Sequence, residues 1–362
     1  MDIANILTPD GWVRGHLHLR DGRIQAIEGT PCDPRDNDLP YLLPGFIDLH
    51  VHGGGGSDIM QGGEAFATIA RTHQRFGTTS LLATTMTAPR EELASVLAEL
   101  GEHLTQPRQG ARILGVHLEG PYINPGKLGA QPNFAHQALL DEVEQYLALA
   151  PIKVITIAPE VAGHLPLIQA LSARGIRLQL GHTLGSYEEG VAALEAGASS
   201  FTHLYNAMSP LHHREPGIVG AALAHARYAE LIPDLLHVHP GAMKVALRAI
   251  PCLYCVTDST AAAGMPDGEY RLGSHTVTKC LGGVRLPDGT LAGSTLTMDQ
   301  ALRNLVKIGL PLSEASDRLS RFPADYLGIT DRGRLQPGTW ADAVQLDRQL
   351  NLTAVMIEGE QA

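Results

Sequence analysis

Eight short apolar runs, each bounded by Gly, Pro, Asn or Asp, alternate along this chain with segments of helical periodicity. The runs cover residues 46–52, 80–84, 113–119, 154–158, 176–182, 201–205, 236–239 and 253–258. Helix-like stretches fall between them at residues 64–76, 91–103, 139–149, 164–174, 187–196 and 243–250. Strand followed by helix, repeated eight times, predicts an α/β fold closed into a (β/α)8 TIM-like barrel. An open doubly wound sheet is the competing architecture, but it favours a GxGxxG loop after an early strand. The GGGG at residues 53–56 does not fit that fingerprint.

What lies outside the eight runs is also patterned. Residues 1–43 contain strand-like pieces (WVRGHLHLR, GRIQAIEG) between Gly and Pro turns, and residues 333–362 look the same (ADAVQLD, TAVMIEG). Two β-rich ends flanking a barrel would pair into one small β-sandwich. The expected domains are therefore 1–43 plus 333–362 for the sandwich and 44–332 for a metal-dependent catalytic barrel.

Composition narrows the partners. With 27 Lys and Arg against 38 Asp and Glu, the net charge of −11 argues against nucleic acid, which needs a basic face. No stretch of about 18 consecutive apolar residues and no basic-then-apolar leader is present, so neither a membrane partner nor export is expected. Four Cys in 362 residues fit a reducing, cytoplasmic setting; CLYC, holding Cys252 and Cys255, falls in an expected strand and reads as packing. Seventeen His against 6 Phe and 2 Trp point instead to metal or acid–base chemistry.

In a strand, residues i and i+2 face one side, so His50 and His52 of DLHVHGG project together just before the glycines that end the run. Alone, such a pair is as readily a polar strand face. Four more polar residues stand at or near the ends of expected strands: Glu119 in VHLEGPY, His182 in LQLGHT, His203 in FTHLYNAM and Asp258 in CVTDST. Each by itself is an ordinary hydrogen-bonded strand end. Together they offer imidazoles and a carboxylate for one or two divalent ions, plus a carboxylate for proton transfer.

The stretches LLPGFIDLHVHGGGG, GVHLEGPYINPGKLGAQP, LGHT, THLYNAMSPLHHREPGIVGAAL, LHVHP, VTDSTAAAGMPDGEY and LAGSTLTMDQALRNLV resemble, in order, those of the amidohydrolase superfamily. Within it they resemble the N-acetylglucosamine-6-phosphate deacetylase family and its N-acetylgalactosamine-6-phosphate branch. The resemblance implies that Glu119, His182 and His203 hold the main catalytic metal and that Asp258 is general base and acid. Members differ at the first strand, and the presence of His50 and His52 here implies room for a second ion. One or two divalent ions per subunit are expected, zinc first, with iron or another able to substitute.

The implied reaction is hydrolysis of the acetamide of N-acetylglucosamine-6-phosphate to glucosamine-6-phosphate and acetate, in amino-sugar catabolism. Cation-activated water attacks the carbonyl while Asp258 carries the proton to the nitrogen. The galactosamine epimer, or a different amide altogether, is the alternative. A barrel that binds metal without catalysis is a third reading, which has no use for Asp258. For the substrate, the resemblance puts Arg214 on the 6-phosphate, in some members from the neighbouring subunit, with Asn206 and the Ala207 backbone assisting. A homodimer is expected on that ground. His237 is implied at the sugar, and residues 294–298 as a loop closing over it. Gln131 stands where many relatives have a histidine on the substrate carbonyl. Residues 233–235 read PDL where ADG is usual. LHHREPG and AAGMPDGEY look closer to the galactosamine branch.

Overall fold

Strands covered on both faces need no polar side, and the first two expected runs meet that condition. Every residue of Phe46–Val51 and Thr78–Thr85 is buried. In the computed structural model, which describes residues 3–362, these two are joined in chain order by Arg112–Glu119, Ile152–Ile157, Arg177–Leu180 and Ser200–Phe201. The six form one parallel sheet. Glu230–Leu231 and Tyr254–Cys255 form a separate parallel pair. Backbone hydrogen bonds bridge both seams. The Leu204 N–H donates to Glu230 O (2.9 Å), and on the far side Asp258 N–H donates to His50 O (2.9 Å) and His52 N–H to Ser259 O (2.9 Å). The result is a curled parallel sheet of TIM-barrel type, with helices such as Glu64–Gln74, Arg90–His103 and Pro240–Ala249 packed between successive strands in the chain.

The seventh strand is not where hydropathy places it. Residues 236–239 form a bend that leads into the helix Pro240–Ala249, and Glu230–Leu231 makes the strand pairing instead. A buried carboxylate in a short strand defeats the apolar pattern, whereas LLHVHP imitates it. The helix Gly217–His225 also lies outside the expected set. Its residues Gly217 through Ala222 are all buried, so no polar face marks a helical period.

Both chain ends enter one seven-stranded sheet. Its order is Glu360–Gln361, Leu352–Ile357, Ala343–Leu346, Tyr41–Pro44, Ala4–Thr8, Gly11–Arg20 and Arg23–Pro31. The ends meet where Ala343–Leu346 pairs antiparallel with Tyr41–Pro44. This sheet also curls: Ile24 N–H donates to Thr339 O (2.9 Å) and Ala341 N–H to Gly22 O (2.9 Å), around a core that includes Ile6, Leu17, Ile24, Leu42 and Leu335. Glu358 clasps it to the parallel sheet, accepting from Arg112 Nη2 (2.7 Å) and Arg332 Nη2 (2.5 Å). Partial burial works against charge on Glu358, yet the two guanidinium groups hold it down to about 2. Among the described residues no helix is long and apolar enough to cross a membrane.

Candidate active site

The six expected metal and acid–base residues come to one end of the parallel sheet. Glu119 is the last residue of its strand; His182 and His203 each stand two residues past theirs, and Asp258 three. His182, His203 and Asp258 take φ of +48°, +28° and +50°. Left-handed backbone costs a non-glycine residue about 1–3 kcal/mol and persists where the surroundings over-determine it, as at functional sites.

Glu119 Oε1 lies 3.2 Å from His182 Nε2 and 3.0 Å from His203 Nε2, and those two nitrogens are 3.1 Å apart. The other oxygen, Oε2, is 3.1 Å from His52 Nε2 and 3.5 Å from His50 Nε2. Asp258 Oδ1 approaches the same two nitrogens at 3.3 and 3.5 Å. Two donor sets result, Glu119 with His182 and His203, and Asp258 with His50 and His52, all buried and spanned by the one Glu119 carboxylate.

These spacings suit a cation. Metal bonds of 2.0–2.1 Å in a tetrahedron put ligand atoms about 3.3 Å apart, close to what is seen here. The far side of three rings is already anchored: His52 Nδ1 lies 3.2 Å from Thr84 O, His182 Nδ1 2.8 Å from Lys127 O, and His50 Nδ1 2.9 Å from Glu230 Oε2. A carbonyl or carboxylate oxygen only accepts, so Nδ1 donates and the Nε2 lone pair faces inward. The donor chemistry fits divalent ions at both positions.

Electrostatics agree. Burial disfavours charge on His50, but Glu119, Asp258 and Glu230 outweigh it and hold its pKa well above the usual imidazole range. For His52 the same contest, with Asp258 and Glu119 as partners, ends at about 9. Glu119 and Asp258 are held below the usual carboxylate range, against burial, chiefly by the field of His50. Without a cation, imidazole protons balance the carboxylates; a divalent ion would take their place.

A cavity of about 400 Å³ opens above this cluster, walled in part by Gln131, Asn206, Ala207 and His237. Gln131 is fully engaged on one side: its Oε1 accepts from Thr87 N–H (2.7 Å) and its Nε2 donates to Glu119 Oε2 (2.6 Å). It therefore braces Glu119 as well as facing the cavity. His237 Nδ1 lies 2.7 Å from Asp234 Oδ2, while Asp234 Oδ1 accepts the Leu236 and His237 N–H groups at 2.9 Å each. Burial opposes charge on His237, but Asp234 raises its pKa. In the PDL variant of this loop Leu235 takes φ of +66°.

Arg214 does not wall the cavity of its own chain; it is exposed, with Nη1 2.8 Å from His213 Nε2, because the segment from Ser209 to Pro216 runs over the surface, which leaves only the neighbouring-subunit placement of the expectation open. One expectation is corrected: residues 294–298 do not reach the cavity. Ser294 is buried beneath it, its N–H donating to Asp258 O (2.7 Å) and its Oγ to Thr257 O (2.6 Å), while Thr290, Leu291 and Gly293 form that wall. Sequence reasoning missed Lys127, the one Lys or Arg on the cavity wall among the described residues, although it stands in the quoted KLGAQ. It also missed Glu230 and Asp234. Another His-x-His pair, which sequence reasoning reads as without partners and gives no role, does have one: His16 and His18, on the strand Gly11–Arg20, lie 3.5 and 2.8 Å from Glu28 Oε2 on the exposed terminal sheet. Cys252 and Cys255 are free thiols, the latter buried in its strand.

The profile of the amidohydrolase family matches residues 41–362. The chain is 40% identical to an N-acetylgalactosamine-6-phosphate deacetylase of Escherichia coli O157:H7 over 99% of its own length and 97% of that protein. The N-acetylglucosamine-6-phosphate deacetylase of Thermotoga maritima superposes with a TM-score of 0.92 at 35% identity, covering 100% of this chain and 98% of that one. A point mutant of the Mycobacterium smegmatis N-acetyl-D-glucosamine-6-phosphate deacetylase, in complex with N-acetyl-D-glucosamine-6-phosphate, gives a TM-score of 0.91 at 34% identity, covering 99% and 97%. The chain belongs to the amidohydrolase family and groups within it with the N-acetylhexosamine-6-phosphate deacetylases.

Proposed function

We propose that this chain hydrolyses the acetamide of N-acetylglucosamine-6-phosphate, releasing acetate and glucosamine-6-phosphate. The observation that carries the reading is the Glu119 carboxylate, poised between two imidazole pairs with Asp258 beside it at the floor of the cavity. Glu119, His182 and His203 hold the first divalent ion, and His50, His52 and Asp258 take part in holding a second; zinc suits the set. When bound, such a cation supplies Lewis acidity to water and to the acetyl carbonyl. Asp258 takes the proton from the attacking water and passes it to the sugar nitrogen, so that the C–N bond breaks toward a neutral amine. Gln131, with one amide N–H spent on Glu119, has another for the carbonyl oxygen, and His237 faces the sugar. Asn206 and the Ala207 backbone stand where the phosphate would enter.

Arg214, exposed on its own chain, is read as completing the cavity of a second copy in a homodimer, where its guanidinium fork matches a phosphate. In the same reading the parallel strands form a closed (β/α)8 barrel over residues 44–332. The ends, 1–43 and 333–362, form a small sandwich-like domain, and the protein works in the cytoplasm. The galactosamine epimer is a second reading, favoured by the likeness to the E. coli O157:H7 relative. Acetate release from both epimeric 6-phosphates, with metal content measured on the same sample, tests the substrate and the cofactor together. Turnover of either with bound divalent metal is expected, and Arg214→Ala should raise KM for the phosphorylated sugar but hardly for the unphosphorylated one. Equal effects on both, or no acetate from either, would overturn the reading.

A further inference from the structure

Glu230, which anchors the far side of the His50 ring, has no part in the reaction proposed above, yet it is wholly buried. A carboxylate taken out of water is costly unless paired. Among the described residues its ion-pair partners are imidazoles alone: His50 Nδ1 at 2.9 Å from Oε2 and, more distantly, His117 Nδ1 at 3.9 Å from Oε1. The Tyr254 hydroxyl donates to Oε1 (3.3 Å) and the His203 backbone N–H to Oε2 (3.3 Å). Among the described residues no lysine or arginine forms an ion pair with it.

The anchors of the inward-facing histidines are therefore unequal. His52 and His182 rest on the neutral carbonyls of Thr84 and Lys127, and among the described residues His203 Nδ1 has no hydrogen-bond partner. His50 alone rests on a full negative charge. We infer that Glu230 is a positioning residue that fixes His50 as the Nδ1–H tautomer and strengthens its Nε2 as a donor, so that it selectively holds the second of the two ions. The inference rests on the two-ion reading above. Its physical ground is that a carboxylate behind a ligand histidine orients the ring and raises its basicity, an effect whose removal typically costs 10–100-fold in metal affinity. Contact with the first donor set is only through the His203 main chain; the Glu230 field reaches that ring, but no hydrogen bond to Glu230 anchors it, so the first set loses no ring anchor when the charge goes.

The test uses zinc-loaded wild-type protein and Glu230→Gln, which keeps the shape and an acceptor for Nδ1–H but not the charge. Each is dialysed against graded chelator, and zinc per chain is measured. Two equivalents are expected in the wild type. In the variant the second equivalent should leave at 10–100-fold weaker chelation, with the first unmoved, which also reports that the fold survives. Loss of both equivalents together would mean a merely structural role and overturn the inference, as would retention of both at wild-type affinity. A wild type holding one equivalent would overturn the two-ion reading and this inference together. A measurement that needs no variant is the ¹H–¹⁵N histidine spectrum of the zinc-loaded wild type. There His50 should carry its proton on Nδ1, and a proton on Nε2 would overturn the assignment.

Discussion

Two His-x-His pairs stand on strands of this protein, each with a glutamate oxygen within 3.5 Å of both rings. His16 and His18 share Glu28 on the terminal sheet; His50 and His52 share Glu119 at the end of the parallel sheet. Spacing is the same, because it is only the geometry of a strand. The surroundings differ: side-chain exposure is 38% and 47% for the first pair and 0% and 3% for the second. Two unit charges 4 Å apart interact by about 1 kcal/mol in bulk water and about 4 kcal/mol at the effective dielectric near a protein surface, so burial multiplies what the same triad can do. The buried pair also has a second carboxylate, Asp258, and anchored Nδ1 atoms, while the exposed pair is an ion-paired patch of sheet. A metal-binding motif is thus made by its neighbours more than by its own residues.

The largest effect should come from removing the group that the exposed pair lacks altogether. Asp258→Asn keeps the shape of the side chain and leaves Glu119, His182 and His203 intact, so the first ion should remain. Its kcat should fall about 10²–10⁴-fold, the usual worth of a positioned general acid–base. Near-normal turnover with full metal content would show that another group moves the proton, and would leave the two His-x-His pairs distinguished by burial alone.

Next comes metal content itself. Replacing His50 and His52 with alanine should lower bound zinc by about one equivalent per chain, whereas the same replacement of His16 and His18 should leave zinc content and acetate release within about twofold of wild type, as solvated surface groups do. Elemental analysis of the two double variants grown side by side decides it. Equal loss from both would mean that spacing, not burial, makes the site.

The sequence makes the catalytic cluster legible for a local reason. Glu119, His182, His203, Asp258 and the pair His50 and His52 each interrupt or end an apolar run, so polarity stands out against the strand that carries it. Glu230 fails that rule, because its strand is two residues long and the apolar bait lay further on, in LLHVHP. Arg214 is conspicuous in REPG, but no local pattern states which way an exposed loop faces or whether a second copy supplies the cavity it serves. The pairing of the chain ends could be expected from their β-rich composition. That Ile24 would bond residue 339, or Glu358 would bind Arg112, depends on contacts across hundreds of residues, to which hydropathy is blind.

The smallest effect belongs to the exposed pair. The Glu28 carboxyl is held below its usual range mainly by hydrogen bonding to His18, with the field of His16 and His18 adding to it. A depressed folded-state pKa gives stability that is present above the unfolded-state value and is lost as pH falls through the folded one. Glu28→Gln should accordingly lower Tm slightly near pH 6 and not at all once the pH is low enough to protonate Glu28 in the wild type. Because the triad is bathed in water, the shift near pH 6 should stay within about 1 °C and shrink further on adding salt. Melting curves of the two proteins at pH 6 and pH 3, with and without salt, check it. A larger, salt-resistant difference would mean that the outer triad is shielded from solvent after all, and the contrast with the buried pair would then rest on the extra ligands rather than on water.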